Sequence, residues 1–155
     1  MIAPDITLPL VIGLPLMGGT LLAVAAGRRS ATAAAWALAA VAALALALVV
    51  AALPSVLAGE ALTASWDWVP ELGLNVALRL DGFAALFAIL ILAIGLLVIL
   101  YARYYLAESD PPGRFYGQLA FFMAAMLGVA LADNLLLLAV FWELTSVASF
   151  LLIGY

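Results

Sequence analysis

The sequence predicts an all-α polytopic membrane protein with about five transmembrane helices and a short outer-side β-hairpin between helices 2 and 3. Of the 155 residues, 70% are hydrophobic and 9% are charged, whereas a soluble domain is typically about 45–50% apolar and about 25% charged. Five apolar stretches reach the length of about 20 residues that a bilayer span needs. One segment between them alternates apolar and polar residues, which is typical of a strand.

Composition excludes several classes of protein. A soluble fold of this length could not bury so much apolar surface, which excludes a water-soluble enzyme. The net charge of −4 offers no basic surface for phosphates, so we expect no nucleic-acid partner. The chain contains no Cys and no His, the commonest ligands of zinc and haem. We therefore expect no cofactor and no bound metal, and the motifs HExxH and GxSxG are missing.

The first predicted span is 6–26, which contains Pro9 and Pro15. No basic residue precedes it, so a cleavable signal peptide is not indicated. The remaining predicted spans are 31–58, 82–106, 115–132 and 134–155. The fourth carries small residues at helical spacing, a pattern that favours close helix packing: Ala120, Ala124, Gly128 and Ala132.

The arginines predict an orientation. Four of the five follow span 1 or flank the turn between spans 3 and 4, whereas loop 59–81 holds four acids and one Arg. Because positive residues mark the cytoplasmic side, we expect a plasma-membrane protein with its N-terminus outside and residue 155 towards the cytoplasm. Those four are Arg28, Arg29, Arg103 and Arg114. Arg103, with tyrosines beside it, is typical of an interface anchor.

Loop 59–81 has internal order. Residues 65–69 and 74–81 both alternate, and Pro70-Glu-Leu-Gly73 between them is typical of a turn. This pattern predicts a β-hairpin on the outer surface, with Trp66 and Trp68 at the membrane interface. Asp81 directly precedes the third span and is expected to cap it.

One acidic residue falls inside a predicted span. Glu143 lies nine residues after Asn134 and twelve before Tyr155, roughly 13 Å below the outer end at about 1.5 Å per residue. That depth is close to the midplane of a hydrocarbon core about 30 Å thick. Charges there are costly, face a bundle interior and commonly mark ion or proton paths. We therefore identify Glu143 as a candidate proton relay; a structural bond between helices is the alternative.

The remaining candidates surround Glu143 or precede it. Ser146 shares its helix face at i+3, and Thr145 extends the polar arc. Asp133, at the start of the fifth span, is interpreted with Asn134 as a helix start, with an ion-entry role as the alternative. A cationic partner for Glu143 is expected outside these residues, because the chain has no Lys and its arginines lie in loops or at span ends.

These motifs carry a family resemblance. Residues 141–155 resemble the fifth helix of antiporter-like proton-pumping subunits, and 81–87 resemble the start of the third. Three shorter motifs follow in the expected order: 100–105, 114–116 and 131–135. The sequence Trp142-Glu-Leu-Thr-Ser146 is similar to the A subunit of Mrp-type multisubunit cation/proton antiporters. The distal proton-pumping subunit of respiratory complex I, which tends to have Trp-Glu-Gly-Val-Gly there, is the alternative.

The resemblance implies a secondary transporter subunit rather than an enzyme. It would act in the bilayer with other membrane subunits of a hetero-oligomeric antiporter, exchanging cytoplasmic Na⁺ for external H⁺. The resemblance also implies that Glu143 relays protons while paired with a Lys on a later helix, for which this chain has no counterpart. A structural scaffold subunit is a third interpretation.

The chain ends within an apolar run that carries no stop signal. We therefore expect that residues 1–155 form a single transmembrane module, the N-terminal part of a longer subunit.

Overall fold

The computed structural model describes residues 3–25, 31–69, 71, 74–105 and 112–155. In these ranges it contains five helices and one two-stranded antiparallel sheet. The elements in chain order are α1 (Pro4–Ala25), α2 (Ala31–Leu57), β1 (Leu62–Val69), β2 (Leu74–Leu80), α3 (Gly82–Tyr105), α4 (Pro112–Leu131) and α5 (Leu135–Ile153). This order confirms the predicted class, an all-α membrane protein with a hairpin between helices 2 and 3.

The helices lie close to the predicted spans. By length and composition, α2, α3, α4 and α5 can each cross a membrane, and α1 adds a shorter apolar stretch, Pro4–Gly19. Helix α4 begins at Pro112, three residues before the predicted start. Proline is tolerated in a first turn because the N–H that it lacks would have no helical partner there. Residues 27–30, which include Arg28 and Arg29, and residues 108–111 of the turn between spans 3 and 4 lie outside the described residues.

Helix α4 lies at the centre of the bundle and packs against α1, α3 and α5. Each of these three contacts uses a glycine. Gly19 of α1 abuts Ala120, Gly95 of α3 abuts Met123, and Gly128 of α4 itself abuts the ring of Phe141 in α5. A Cβ at any of these glycines would overlap the facing side chain, so the backbones approach as closely as small residues permit. The small-residue spacing predicted in the fourth span therefore serves packing.

The hairpin covers one end of the helices. Strand β1 pairs antiparallel with β2, with Trp66 opposite Val76. The predicted first strand was too short, because pairing already begins at Leu62 opposite Leu80. Leu78 and Leu80 of β2 are buried against the helices, whereas Trp66 and Trp68 of β1 are exposed. Most of the predicted turn, residues 70, 72 and 73, lies outside the described residues.

The close contact between α1 and α4 generates a prediction. Gly19→Ala should lower the free energy of unfolding by about 1–3 kcal/mol, because the new methyl group overpacks the interface with Ala120. Gly13→Ala is the matched control on the same helix, since its Cβ would meet nothing within 4 Å. The control should be neutral or stabilising, because Ala favours helix over Gly. Thermal unfolding in detergent micelles measures both, and equal shifts would contradict the packing argument.

Candidate functional site

Helix α5, which carries Glu143, is anchored at its start by Asn134. The side-chain oxygen of Asn134 accepts a hydrogen bond from the Leu137 N–H at 2.7 Å and caps the helix, as the sequence predicted. The amide nitrogen of the same side chain donates to the backbone carbonyl of Asn75 in β2, also at 2.7 Å. One side chain therefore caps α5 and ties it to a strand 59 positions earlier in the chain.

Two backbone contacts reinforce this junction. The Asp133 N–H donates to the Ala77 carbonyl at 2.9 Å, and Ala132 forms an isolated β-bridge with Leu78. We call the contacts of 132–134 with β2 the clasp. Since backbone groups near the hydrocarbon need internal partners, the clasp satisfies the short joint between α4 and α5. It also fixes where α5 begins relative to the hairpin, and so fixes the depth of Glu143.

Glu143 lies on the outward face of α5. Its side chain is exposed, as are those of Val140 and Val147 on the same stripe of the helix. The opposite face is the one that packs, through buried Leu137 and Ala148. The expectation that Glu143 faces a bundle interior is therefore not met by these five helices. Within the described residues it takes part in no ion pair, since the one pair found there joins Arg79 and Asp81.

The neighbouring hydroxyl groups bond within α5. Thr145 donates to the Trp142 carbonyl at 2.6 Å and Ser146 donates to the same oxygen at 3.4 Å. This back-bonding is common for hydroxyl side chains in helices. It leaves the hydroxyl oxygens as acceptors. Ser146 is exposed on the same face as Glu143, so the structure brings the candidates Ser146 and Glu143 together.

Asp133 lies apart from this group. Its side chain is exposed at the hairpin end of α5, ten residues before Glu143, which corresponds to about 15 Å along the helix. No group of three or more Asp or Glu side chains that could hold a metal ion occurs in the part of the chain that the structure describes. The arrangement is a lone mid-helix carboxyl group with hydroxyl neighbours.

Asp81 caps α3, as predicted. Its carboxylate accepts hydrogen bonds from the N–H groups of Ala84 at 3.0 Å and Phe83 at 3.1 Å, and from Arg79 Nε at 3.3 Å. These bonds, the one from Ala84 foremost, hold the pKa of Asp81 below its ordinary value of 3.8. The cap therefore stabilises the fold above that value, and the stabilisation is lost as the pH falls through the lowered pKa.

Two polar side chains of α4 were missed as candidates from sequence. The hydroxyl oxygen of Tyr116 and Oε1 of Gln118 are buried and, among the described residues, have no hydrogen-bond partner. Both interrupt an otherwise apolar span, and that interruption was the available signal. Both lie in the first turns of α4, at the end away from the clasp, and among the described residues no hydrogen bond joins either atom to the Glu143 group.

Apolar helices, a capping hairpin and one intramembrane acid define a multi-pass membrane protein.

Residues 66–116 match the family model described as "NADH-Ubiquinone oxidoreductase (complex I), chain 5 N-terminus". The probable K⁺/H⁺ antiporter A/B subunit of Rhizobium meliloti is 65% identical over 102 residues, 66% of this chain and 10% of the relative. The Na⁺/H⁺ antiporter A1 subunit of Staphylococcus haemolyticus is 50% identical over 98 residues, 63% of this chain and 12% of the relative. The homologues are thus A subunits of cation/proton antiporters, which confirms the resemblance found from sequence.

Solved structures agree with this relationship. A chain of the Mrp complex from Dietzia sp. superposes with a TM-score of 0.80 at 32% identity, covering 96% of this chain and 16% of that one. A chain of an archaeal membrane-bound sulfane sulfur reductase shares the fold, with a TM-score of 0.78 at 24% identity, covering 93% of this chain and 22% of that one. The chain spans about a tenth of the length of its curated relatives.

The dual role of Asn134 can be separated by substitution. Asn134→Ala should lower stability by about 1 kcal/mol for the lost cap, with a further loss because the Asn75 carbonyl is left unpaired. Asn134→Asp keeps the acceptor for Leu137 but replaces the donor to Asn75 by a carboxylate oxygen that faces the Asn75 carbonyl. It should therefore keep the cap, lose the second contribution and add repulsion between the two oxygens. Thermal unfolding in micelles measures both variants.

The control for this pair is Asp81→Asn, the reverse exchange at the α3 cap, where every bond is local. It should shift the unfolding midpoint less than Asn134→Asp does. Indistinguishable shifts for these two variants would show that the bond to Asn75 contributes nothing.

Proposed function

We propose that this chain is a single transmembrane module of a longer antiporter subunit that exchanges cytoplasmic Na⁺ for external H⁺. Glu143 would act as its intramembrane proton relay. The observation that supports this best is a carboxyl group near mid-depth of a span, exposed on the outward face of α5. A charge facing lipid there would cost about 2.5–3.5 kcal/mol. That cost favours an arrangement in which further protein covers this face.

The chemistry of a relay needs a carboxyl group that exchanges protons with neighbours. The chain contains no Lys, so a cationic partner for Glu143 would come from the covering protein. An opposite charge favours the ionised form and burial favours the neutral form. Approach of the cationic partner would therefore release the proton from Glu143, and its withdrawal would let Glu143 take up a proton. Ser146 and Thr145 supply acceptor oxygens beside it, and Asp133 is the candidate entry group at the hairpin end.

The relatives support antiport and bear on the cation. The Rhizobium relative is named for K⁺/H⁺ exchange, whereas the Staphylococcus relative is named for Na⁺/H⁺ exchange. We propose Na⁺ as the exchanged cation and treat K⁺ as the outcome that the same assay separates. The partners would be other membrane subunits of a hetero-oligomeric complex.

A redox-driven proton pump is the second candidate. It is favoured by the match of residues 66–116 to a family described by complex I. In that case proton movement would depend on NADH oxidation by partner subunits. An ion gradient alone would not drive it.

Glu143→Gln tests the relay. In everted vesicles that contain the assembled complex, adding Na⁺ should collapse a preformed pH gradient without NADH, and the variant should abolish this exchange at equal assembly. Glutamine keeps the shape but cannot ionise. The matched control is Glu60→Gln, the same change at an exposed residue outside the helices, which should leave exchange intact.

The alternatives give different outcomes in that assay. Collapse with K⁺ but not Na⁺ would reassign the cation. Proton movement only with NADH would favour the redox pump. Reduced assembly of Glu143→Gln with normal exchange by the remainder would show a structural role.

The proposed orientation is tested with cysteines, which the native chain lacks. One cysteine replaces Ser65, an exposed residue of β1, in the variant Ser65→Cys. The other replaces Ser109, which follows α3 and precedes α4 in the sequence, in the variant Ser109→Cys. In intact cells a membrane-impermeant maleimide should label Ser65→Cys. It should label Ser109→Cys only in everted vesicles, because Arg103 and Arg114 flank this connection and positive residues mark the cytoplasmic side. The reverse pattern would overturn the orientation.

A further inference from the structure

We propose that the groove between α2 and α3 binds an anionic phospholipid, with an acyl chain in the groove and the lipid phosphate on the guanidinium of Arg103. The site lies at the end of the bundle opposite the hairpin and does not depend on the proposed antiport.

The groove is apolar and ends at a charge. It has a volume of about 280 Å³ and is lined from both helices, by Trp36 and Ala39 on one side and by Leu96 and Leu100 on the other. Its α3 wall runs from Leu96 to Arg103, roughly 10 Å at about 1.5 Å per residue. Such a channel suits a length of hydrocarbon chain, and Arg103 lies at its mouth.

Aromatic rings hold the guanidinium of Arg103 in place. Its central carbon lies 5.2 Å from the centre of the Trp36 ring and 5.1 Å from that of Tyr104, within cation–π range. Nη1 also donates to the Tyr104 hydroxyl at 3.2 Å. Since α3 has 24 residues, about 36 Å, it exceeds the roughly 30 Å hydrocarbon core. Arg103, two residues before its end, therefore lies at the headgroup level.

The positive charge of Arg103 would be stabilised by an anionic partner. Across the ranges that the structure describes, no carboxylate lies within ion-pair distance of it. A guanidinium offers five N–H donors in a planar fork that matches phosphate, and the hydrogen bond to Tyr104 uses one. A phosphate joined to an acyl chain satisfies both the remaining donors and the groove, which free phosphate does not.

A second groove shows that apolar shape alone does not define the site. The groove between α3 and α4 has a similar volume, about 330 Å³, but its lining consists of apolar residues and Gly95. It offers no group that would select an anionic headgroup. Selection of lipid charge is therefore expected at the Arg103 groove.

The test uses the full chain extracted in mild detergent. Phosphatidylglycerol and phosphatidylcholine with identical acyl chains are titrated, and bound lipid is counted by native mass spectrometry. The wild type should prefer phosphatidylglycerol by about tenfold or more, because phosphatidylglycerol keeps a net negative charge, whereas the choline ammonium of phosphatidylcholine offsets the charge of its phosphate. Arg103→Gln should remove that preference. Arg114→Gln should keep it, because Arg114 is an exposed arginine at the same end that does not line the groove.

Two further measurements separate the sources of binding. Ala39→Phe, which fills the groove while keeping Arg103, should lower phosphatidylglycerol binding about as much as Arg103→Gln does. Glycerol phosphate, the headgroup without chains, should fail to compete at equal concentration. Equal losses in Arg103→Gln and Arg114→Gln would reduce the effect to general interface charge and overturn the site. Unchanged binding in Ala39→Phe, or competition by glycerol phosphate, would overturn the role of the groove.

Discussion

The close approach of three helices to α4 is the constraint on which the rest of the bundle depends. Lipid tails are as apolar as leucine, so helices in a bilayer gain little from hydrophobic burial and associate through packing. Here the packing depends on Gly19, Gly95 and Gly128, each at a point where a Cβ would overlap its neighbour. With α1, α3 and α5 fixed to one central helix, the hairpin has a stable surface to cover.

The hairpin in turn supplies what the α4–α5 joint lacks. A joint of three residues at the membrane edge exposes backbone groups that need partners, and β2 provides them at Asn75, Ala77 and Leu78. The edge of β2 that makes these contacts is therefore unable to pair with another strand. The gain is a fixed start for α5, which has few buried residues of its own and depends on its two ends and one face for its position.

Local signals made most of the fold predictable. Period-2 alternation located the hairpin, and the residue types at 81 and 134 predicted the helix caps that the structure confirms. The outward setting of Glu143 could not be predicted, because the polar arc of α5 identifies the face that carries Glu143 but not whether that face meets these five helices or further protein. The contact of Arg103 with Trp36 could not be predicted either, because it joins α3 to α2 and no local periodicity encodes it.

The setting of Glu143 follows from the opposite face of α5, where Leu137 and Ala148 are buried and Phe141 meets Gly128. Successive residues of an α-helix are rotated by about 100°, so Phe141 and Glu143, two positions apart, point about 200° away from each other. Seating the Phe141 ring against Gly128 therefore turns Glu143 away from the bundle. The cap at Asn134 sets its depth, and the packed face sets its direction. A partner helix that packs on the Glu143 face would meet a carboxyl group whose direction is already fixed. A larger residue at Gly128 would displace the Phe141 ring and so rotate Glu143, although the two residues are not in contact.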